Sequence, residues 1–503
     1  MDCRTRIVSN EYADLMVDFD LDITSIENTA GDFCYYQIED NLRIFYVNRE
    51  ELPELSVSDY RYLYLPSCYG LMQSAETTAG AFNTRALEET GILRVQRDPL
   101  SLTGLGCVFV CIDSGIDYTD PVFRRENGES RILAIWDQEE QSGNVPSGFE
   151  YGSEYTQAQI NEALNSDNPY DIVPTRDIPG RHGTALASIA AGSRLEEGSV
   201  FLGAAPDADI VVVKLKQAKP YLREYYFIPE NTPCYQETDI MTALKYGVSY
   251  AEALRRPVCI CLGIGTSYGD HAGNSLLERY INRLSLLRNV AVVLPAGNEG
   301  NAAHHYRAFW SADEFETEKT AEIRVGEGNR GFLAEIWGSV PSVFHVSLRS
   351  PGGEEIRDIS FRLDTTRVYD FVYSDTILTV DAFLVEQISG QQLVVLRFEN
   401  PTPGIWAIGI RKEESETPAA CDIWLPIQPF LSGELYFLEP TPYITLTMPA
   451  TALYALCISA YNAENGGLYQ DSGRGFSRSS AIKPDLAAPG VNVTSVIGTV
   501  SGT

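Results

Sequence analysis

Basic residues are scarce in this sequence: 38 Lys and Arg stand against 69 Asp and Glu, and the formal net charge is −31. Such an acidic chain argues against nucleic acid and anionic membranes as partners. The sequence also lacks an apolar segment behind its N-terminus and any run of about 18 apolar residues, so it predicts neither a secretory signal nor a membrane-spanning helix. A solvated surface is the simplest explanation of the acidic residues, and attraction of basic substrates is the alternative.

The ten cysteines are scattered, and none of their spacings is typical of a zinc site. Several lie inside apolar, strand-like runs such as "GCVFVCI" and "VCICLG". We therefore expect buried, reduced thiols and an intracellular compartment. The neighbours His304 and His305 have no acidic or cysteine partner at a metal-ligand spacing, so we expect them in a solvated loop. The sequence predicts no metal and no cofactor.

Hydrophobic patterning divides the chain into three regions. Residues 1–65 carry short strand-like runs that indicate a small α+β unit. From about residue 104, continuous apolar runs alternate with helical segments, which is typical of a parallel sheet with helices on both faces. The clearest of these runs are "GCVFVCID", "DIVVVKL", "VCICLGIG" and "NVAVVLPAGN".

The pattern changes again at residue 305. Residues 305–450 show alternating strands separated by turn residues and almost no helix, which favours a β-sandwich or jelly roll. The α/β pattern resumes with "ALYALCISAYN". The expected fold is therefore an α/β domain into which a β-domain is inserted.

Three polar residues lie where catalytic groups of open parallel sheets are found, beside the carboxyl ends of strands. Asp113 ends one apolar run, Asn298 follows another, and His182 begins a helix between them in the sequence. Taken singly, each has an ordinary structural explanation: a turn or N-cap aspartate, a solvated histidine, a tight turn. Their joint occurrence, in this order, favours a catalytic site.

The blocks "DSGID", "GRHGTALASIAAG", "LGIG", "PAGNEGN" and "IKPDLAAPGVNV", followed by "SGT", resemble the successive signature blocks of the subtilisin-like serine proteases (subtilases, peptidase family S8). The order Asp, His, Ser is the subtilase order. The family's last block is Gly-Thr-Ser, and the sequence ends at Gly502-Thr503. We therefore expect the nucleophilic serine to be the residue after Thr503, and residues 1–503 alone to be inactive.

The resemblance implies a role for each candidate residue. His182 would take the proton of the serine, Asp113 would orient and stabilise the imidazole, and Asn298 would donate a hydrogen bond to the oxyanion. The remaining implied positions bind the substrate backbone or form the first specificity pocket: Leu262, Gly263, Ile264, Gly265, Ala296 and Gly297. The loop after the His182 helix lacks the Asn-rich calcium segment of secreted subtilisins, so no calcium is expected there.

Within the family, the chain is similar to the clostridial germination proteases of the Csp type, on the segments "YLPSCYGLM" and "NPTPGIWAIGI". This likeness implies a prodomain at residues 1–70, a catalytic domain at residues 71–304 and 451–503, and a jelly roll at residues 305–450. The expected partners are a protein or peptide substrate and the chain's own prodomain, with neither nucleic acid nor membrane. The implied location is cytoplasmic or spore-associated, and the implied role is activation of another protein by limited proteolysis.

Two other functions stay open from the sequence. The chain could be a catalytically inactive pseudoprotease with a regulatory or binding role, although a dead enzyme need not keep Asp113, His182 and Asn298. The β-insert could bind carbohydrate, although the sequence shows no clear aromatic cluster at matched spacing. The residue after Thr503 discriminates between protease and pseudoprotease.

Overall fold

The computed structural model describes residues 2–18, 32–52, 65–72, 82–178, 180–196, 200–314, 317–359, 365–413 and 416–503. The sequence-based expectation that an extended strand runs from Tyr62 to Leu71 falls partly outside these ranges, because residues 62–64 are not described. Among the described residues, no helix is long and apolar enough to cross a membrane.

In its described residues, the N-terminal unit consists of a small antiparallel sheet and a helix. Its elements are α1 (Cys3–Val8), β1 (Tyr12–Asp18), β2 (Phe33–Gln37) and β3 (Leu42–Asn48), in the strand order β1-β3-β2. The next described strand, β4 (Cys68–Leu71), lies outside this sheet and pairs with strands of the second unit. The helix packs on the sheet so that Cys3 and Cys34 are bonded as a disulfide, with their Cα atoms 5.7 Å apart. The expectation of reduced thiols is therefore wrong for this pair, while the other eight cysteines are free.

The second unit contains the parallel sheet. Its helices are α2 (Arg85–Glu89), α3 (Ile92–Gln96), α4 (Gln157–Leu164), α5 (His182–Ala191), α6 (Pro220–Tyr225), α7 (Glu237–Leu254) and α8 (Leu276–Ser285). Its strands before the insert are β5 (Val108–Asp113), β6 (Ile132–Asp137), β7 (Ser153–Thr156), β8 (Leu195–Glu196), β9 (Val200–Phe201), β10 (Asp209–Lys214), β11 (Tyr235–Gln236), β12 (Val258–Leu262), β13 (Ile264–Gly265) and β14 (Val290–Pro295).

The inserted unit is a sandwich of two antiparallel sheets. Its strands are β15 (His305–Trp310), β16 (Glu318–Val325), β17 (Gly331–Gly338), β18 (Phe344–Arg349), β19 (Glu355–Ile359), β20 (Thr365–Asp370), β21 (Ile377–Phe383), β22 (Gln392–Glu399), β23 (Gly404–Lys412), β24 (Ala419–Trp424) and β25 (Leu435–Phe437). One sheet has the order β15-β24-β17-β22-β21-β20 and the other β19-β18-β23-β16-β25. Apolar residues of both inner faces form its core.

After the insert the chain returns to the parallel sheet with β26 (Leu456–Tyr461) and β27 (Leu486–Pro489), and ends with the hairpin β28 (Val493–Ser495) and β29 (Gly498–Val500). The described central sheet has the order β27-β26-β14-β12-β5-β10-β6-β7, and its pairs are parallel except β6 with β7. The central strand β5 is buried along its whole length because helices cover both faces. The predicted fold class is confirmed: a subtilisin-like α/β sheet with an N-terminal α+β unit and an inserted β-domain.

The junction between the sheet and the insert is buried rather than solvated. His304 lies 2.6 Å from Glu299 through Nδ1 and 3.0 Å from the Leu435 carbonyl through Nε2. His305 opens β15, and its ring stacks on Trp424 with a centroid distance of 4.6 Å. The predicted solvated loop is therefore wrong, because the two imidazoles fill the seam where the β-domain joins the sheet domain.

Candidate active site

The carboxyl end of β5 and the start of α5 bring an aspartate and a histidine together. Asp113 is the last residue of β5 and His182 the first residue of α5. His182 Nδ1 lies 2.6 Å from Asp113 Oδ1, and both side chains are buried. Small residues along α5 let the helix approach β5 closely, which fixes the imidazole against the strand end.

The environment of His182 favours its protonated form. Burial lowers the pKa of the imidazole, but the charge and the hydrogen bond of Asp113 outweigh burial and leave the pKa raised. Asp177 and a hydrogen bond with the backbone of Met72 act in the same direction. A histidine in this setting can accept a proton and hold it as an imidazolium, which general base catalysis requires.

A second carboxylate supports the pair from behind. Ser114 Oγ lies 3.0 Å from Asp113 Oδ1 and 2.7 Å from Asp177 Oδ1, and the Ser114 amide donates to Asp113 Oδ1 at 2.7 Å. Asp177 also accepts the amide and hydroxyl of Thr184, one turn into α5. Burial raises the pKa of Asp177. This network joins the strand end to the helix start and holds the Asp113 carboxylate in one orientation.

Gly263 closes the other side of the pair. A Cβ atom at this position would lie 2.4 Å from Asp113 Oδ2 and 2.8 Å from His182 Cε1, so the backbone approaches both side chains as only glycine can. Within the described part of the chain, Asp113 Oδ2 has no hydrogen-bond partner although it is buried.

Asn298 follows β14 and faces the end of the chain. Its Oδ1 accepts from the amide of Thr503 at 3.2 Å, and the amide of the neighbouring Gly297 donates to Thr503 Oγ1 at 3.0 Å. The side-chain Nδ2 of Asn298 is buried and has no acceptor among the described residues. Because its Oδ1 is held by this hydrogen bond, the side chain of Asn298 has a fixed position, and its free N–H can donate to an anionic oxygen.

Strand β4 of the N-terminal segment passes beside this pair as the inner strand of a small sheet. The sheet has the order β11-β4-β13 and is antiparallel, with Ile264 opposite Leu71 and Gly265 opposite Gly70. The Met72 amide continues the ladder and donates to the Gly263 carbonyl at 2.9 Å. The chain therefore presents Met72 to His182 in the extended form that proteases bind.

The side chain of Met72 enters a small pocket. Thr447 Oγ1 lies 3.8 Å from Met72 Sδ. A Cβ atom at Gly265 would lie 2.5 Å from Thr447 Oγ1, and one at Gly297 would lie 2.2 Å from it, so Thr447 spans both glycines. Thr447 was not predicted from the sequence, because residues 305–450 were all assigned to the inserted domain and Thr447 carries no local motif.

The other sequence-predicted residues lie around this centre. Ile264 and Gly265 form β13, and Ala296 and Gly297 follow β14. The Ala296 carbonyl accepts from the Thr447 amide at 3.1 Å. Leu262 is different: it ends β12, pairs with Ile112 and is fully buried in the core of the sheet. Over the described ranges, no group of three or more His, Cys, Asp or Glu side chains is arranged to hold a metal ion.

Comparison with known proteins finds a family model and a solved structure that this chain resembles. The subtilase family model matches residues 104–317. The structure of the Clostridium perfringens CspB protease matches with a TM-score of 0.70 and 29% identity, over 84% of this chain and 84% of that chain. The epidermin leader peptide processing serine protease EpiP from Staphylococcus aureus covers 58% of this chain and 61% of its own at 14% identity and a TM-score of 0.33, too weak a likeness to carry an argument. No curated protein has a significant sequence match.

The family match covers the blocks that contain Asp113, His182 and Asn298, and the CspB match covers most of the chain. Together these matches support a subtilisin-like serine endopeptidase similar to the Csp type.

Proposed function

We propose that the protein cleaves peptide bonds through a triad of Asp113, His182 and a serine that follows Thr503. The Asp113–His182 pair at 2.6 Å, with Met72 held against it, is the observation that carries the proposal. His182 would deprotonate the serine and return the proton to the leaving amine, while Asp113 stabilises the imidazolium. The free N–H of Asn298 would bind the oxyanion.

The first substrate is the chain's own N-terminal segment. The prodomain, predicted at residues 1–70, would extend to Met72 and deliver β4 to the site, and the bond cleaved would be the one between Met72 and Gln73. Two features support this bond: the Met72 amide pairs with Gly263, and its side chain contacts Thr447. Ile264, Gly265, Ala296 and Gly297 complete the surface that binds the substrate. A second protein presenting a similar segment would be activated by limited proteolysis.

The test is expression of the full gene product as wild type and as His182→Ala. The wild type should yield two fragments, and Edman degradation of the larger one should begin at Gln73. His182→Ala should stay intact in isolation, since nothing deprotonates the nucleophile. Cleavage of the purified His182→Ala protein at the wild-type rate would refute self-processing. A folded wild type that never cleaves would favour the pseudoprotease function.

A further inference from the structure

Gly70 lies in the middle of β4, where the inserted β-domain touches the peptide held in the cleft. Counting back from the proposed scissile bond, Met72 is the first residue, Leu71 the second and Gly70 the third. Leu71 and Gly70 are paired with β13, and the two residues before them are paired with β11. Because both halves of the strand are hydrogen-bonded, the Cα of Gly70 has a fixed position and direction.

The inserted domain fills the space that a side chain at this position would need. A Cβ atom on residue 70 would lie 2.8 Å from Ile427 Cδ1, 3.1 Å from Phe430 Cε1 and 3.4 Å from Phe430 Cζ. Favourable contacts between carbon atoms begin at about 3.5 Å. Even a methyl group at this position therefore overlaps Ile427 and crowds Phe430.

The wall formed by these two residues is itself tightly held. Ile427 is 0% exposed and Phe430 is 2% exposed. They belong to one apolar cluster with Trp424 of β24, residues of the sheet domain and Cys68 of β4. The turn that carries them is tied to the sheet domain by the Gln428 amide, which donates to Glu299 Oε1 at 3.0 Å. In a close-packed interior such side chains yield little to an incoming methyl group.

We propose that the inserted β-domain is a specificity element: Ile427 and Phe430 select glycine at the third position before the scissile bond. This inference rests on the proposed function and narrows its substrate class to segments with glycine at the third position before the scissile bond, as in Tyr-Gly-Leu-Met. Selection works by exclusion, since any larger residue at the third position meets the wall. A protein substrate that binds along the path of β4 would meet Ile427 and Phe430 at its own third position.

The experiment compares self-processing of full-length variants made by cell-free translation. Gly70→Ala should slow cleavage about tenfold to a hundredfold, and Gly70→Val should abolish it, because overpacking grows with side-chain size. Ile427→Val removes only the Cδ1 atom, so Gly70→Ala combined with Ile427→Val should recover part of the rate. The matched control is Gly352→Ala in the inserted domain, where a Cβ atom would meet only Ser350 Oγ at 3.7 Å, and this variant should stay within a few-fold of the wild type.

Two outcomes would overturn the inference: Gly70→Ala cleaved as fast as the wild type, or Ile427→Val giving no recovery. A wild type that is never cleaved would instead refute the proposed function. In that case urea unfolding tests the same contact without catalysis. Gly70→Ala should lower the unfolding midpoint and Ile427→Val should restore part of it in the double variant, whereas purely additive effects would refute the contact between residue 70 and the wall.

Discussion

Replacing Asp14 with asparagine should weaken the attachment of the N-terminal unit to the sheet domain. Asp14 is 1% exposed, and its Oδ1 accepts from Lys219 Nζ at 2.6 Å. Its Oδ2 accepts from Gln236 Nε2 at 2.6 Å and from Thr238 Oγ1 at 3.1 Å. Burial lowers the pKa of Lys219, and the charge of Asp14 opposes that shift. The N-terminal unit is thus joined to its neighbour through a desolvated ion pair.

The magnitude follows from what Asp14→Asn leaves behind. The amide turns an N–H group toward these donors and leaves the buried ammonium of Lys219 without a counter-charge. Removing one partner of a buried pair costs about 3–5 kcal/mol. Urea titration followed by tryptophan fluorescence should show this loss in the free energy of unfolding. Lys219→Met should cost a similar amount, and the double variant should recover about 2 kcal/mol, as expected for side chains in direct contact.

The control is an ion pair on the surface. Arg85 lies 3.3 Å from Glu464, and their side chains are 47% and 60% exposed. Arg85→Ala should change stability by less than about 1 kcal/mol. The role of this ion pair is refuted if the free energy of unfolding of Asp14→Asn lies within about 1 kcal/mol of the wild-type value. It is also refuted if the losses caused by Asp14→Asn and Lys219→Met simply add in the double variant.

Two further predictions follow from the site and its surroundings. Asn298→Ala should slow self-processing about 100- to 1000-fold without changing the cleaved bond, as time courses with N-terminal sequencing will measure; an unchanged rate contradicts the oxyanion role. Burial raises the pKa of Glu237 from 4.5 to about 7. The unfolded chain therefore loses this proton first, and stability should fall as the pH rises from 4.5 to 7, at up to about 1.4 kcal/mol per pH unit. Glu237→Gln should reduce this decrease of stability with pH, measured by thermal unfolding at pH 5–8. A decrease as steep as in the wild type would contradict the role of Glu237. Some decrease of stability with pH should remain in this variant, because burial also raises the pKa values of Glu278 and Glu335, to about 8 and about 7.

The sequence predicted the sheet and the Asp–His pair because both depend on local signals. Short continuous apolar runs that alternate with helical segments are typical of fully buried parallel strands, and the residues that end such strands meet at one edge of the sheet. The order of the signature blocks then assigned Asp113, His182 and Asn298.

Contacts between distant segments could not be predicted in this way. Gly70 and Ile427 are 357 residues apart, and nothing near either one indicates the other. The same is true of Thr447 beside Met72, and of Cys3 bonded to Cys34. His304 and His305 were assigned to solvent because the sequence does not show that two domains close over them. Packing between distant segments determines all of these contacts, and the local sequence pattern carries no information about that packing.

The position of β4 between β11 and β13 has a consequence for the timing of turnover. A newly cut Met72 end would stay hydrogen-bonded on both edges and packed against the inserted domain, and its parent unit would remain joined through Asp14 and Lys219. The product of the first reaction would then be a resident strand, and the mature enzyme a two-chain particle with its groove already filled. A second substrate could enter only by strand exchange. The release rate of one short β-strand, rather than the chemistry of the triad, would therefore set how fast this enzyme acts on any other protein.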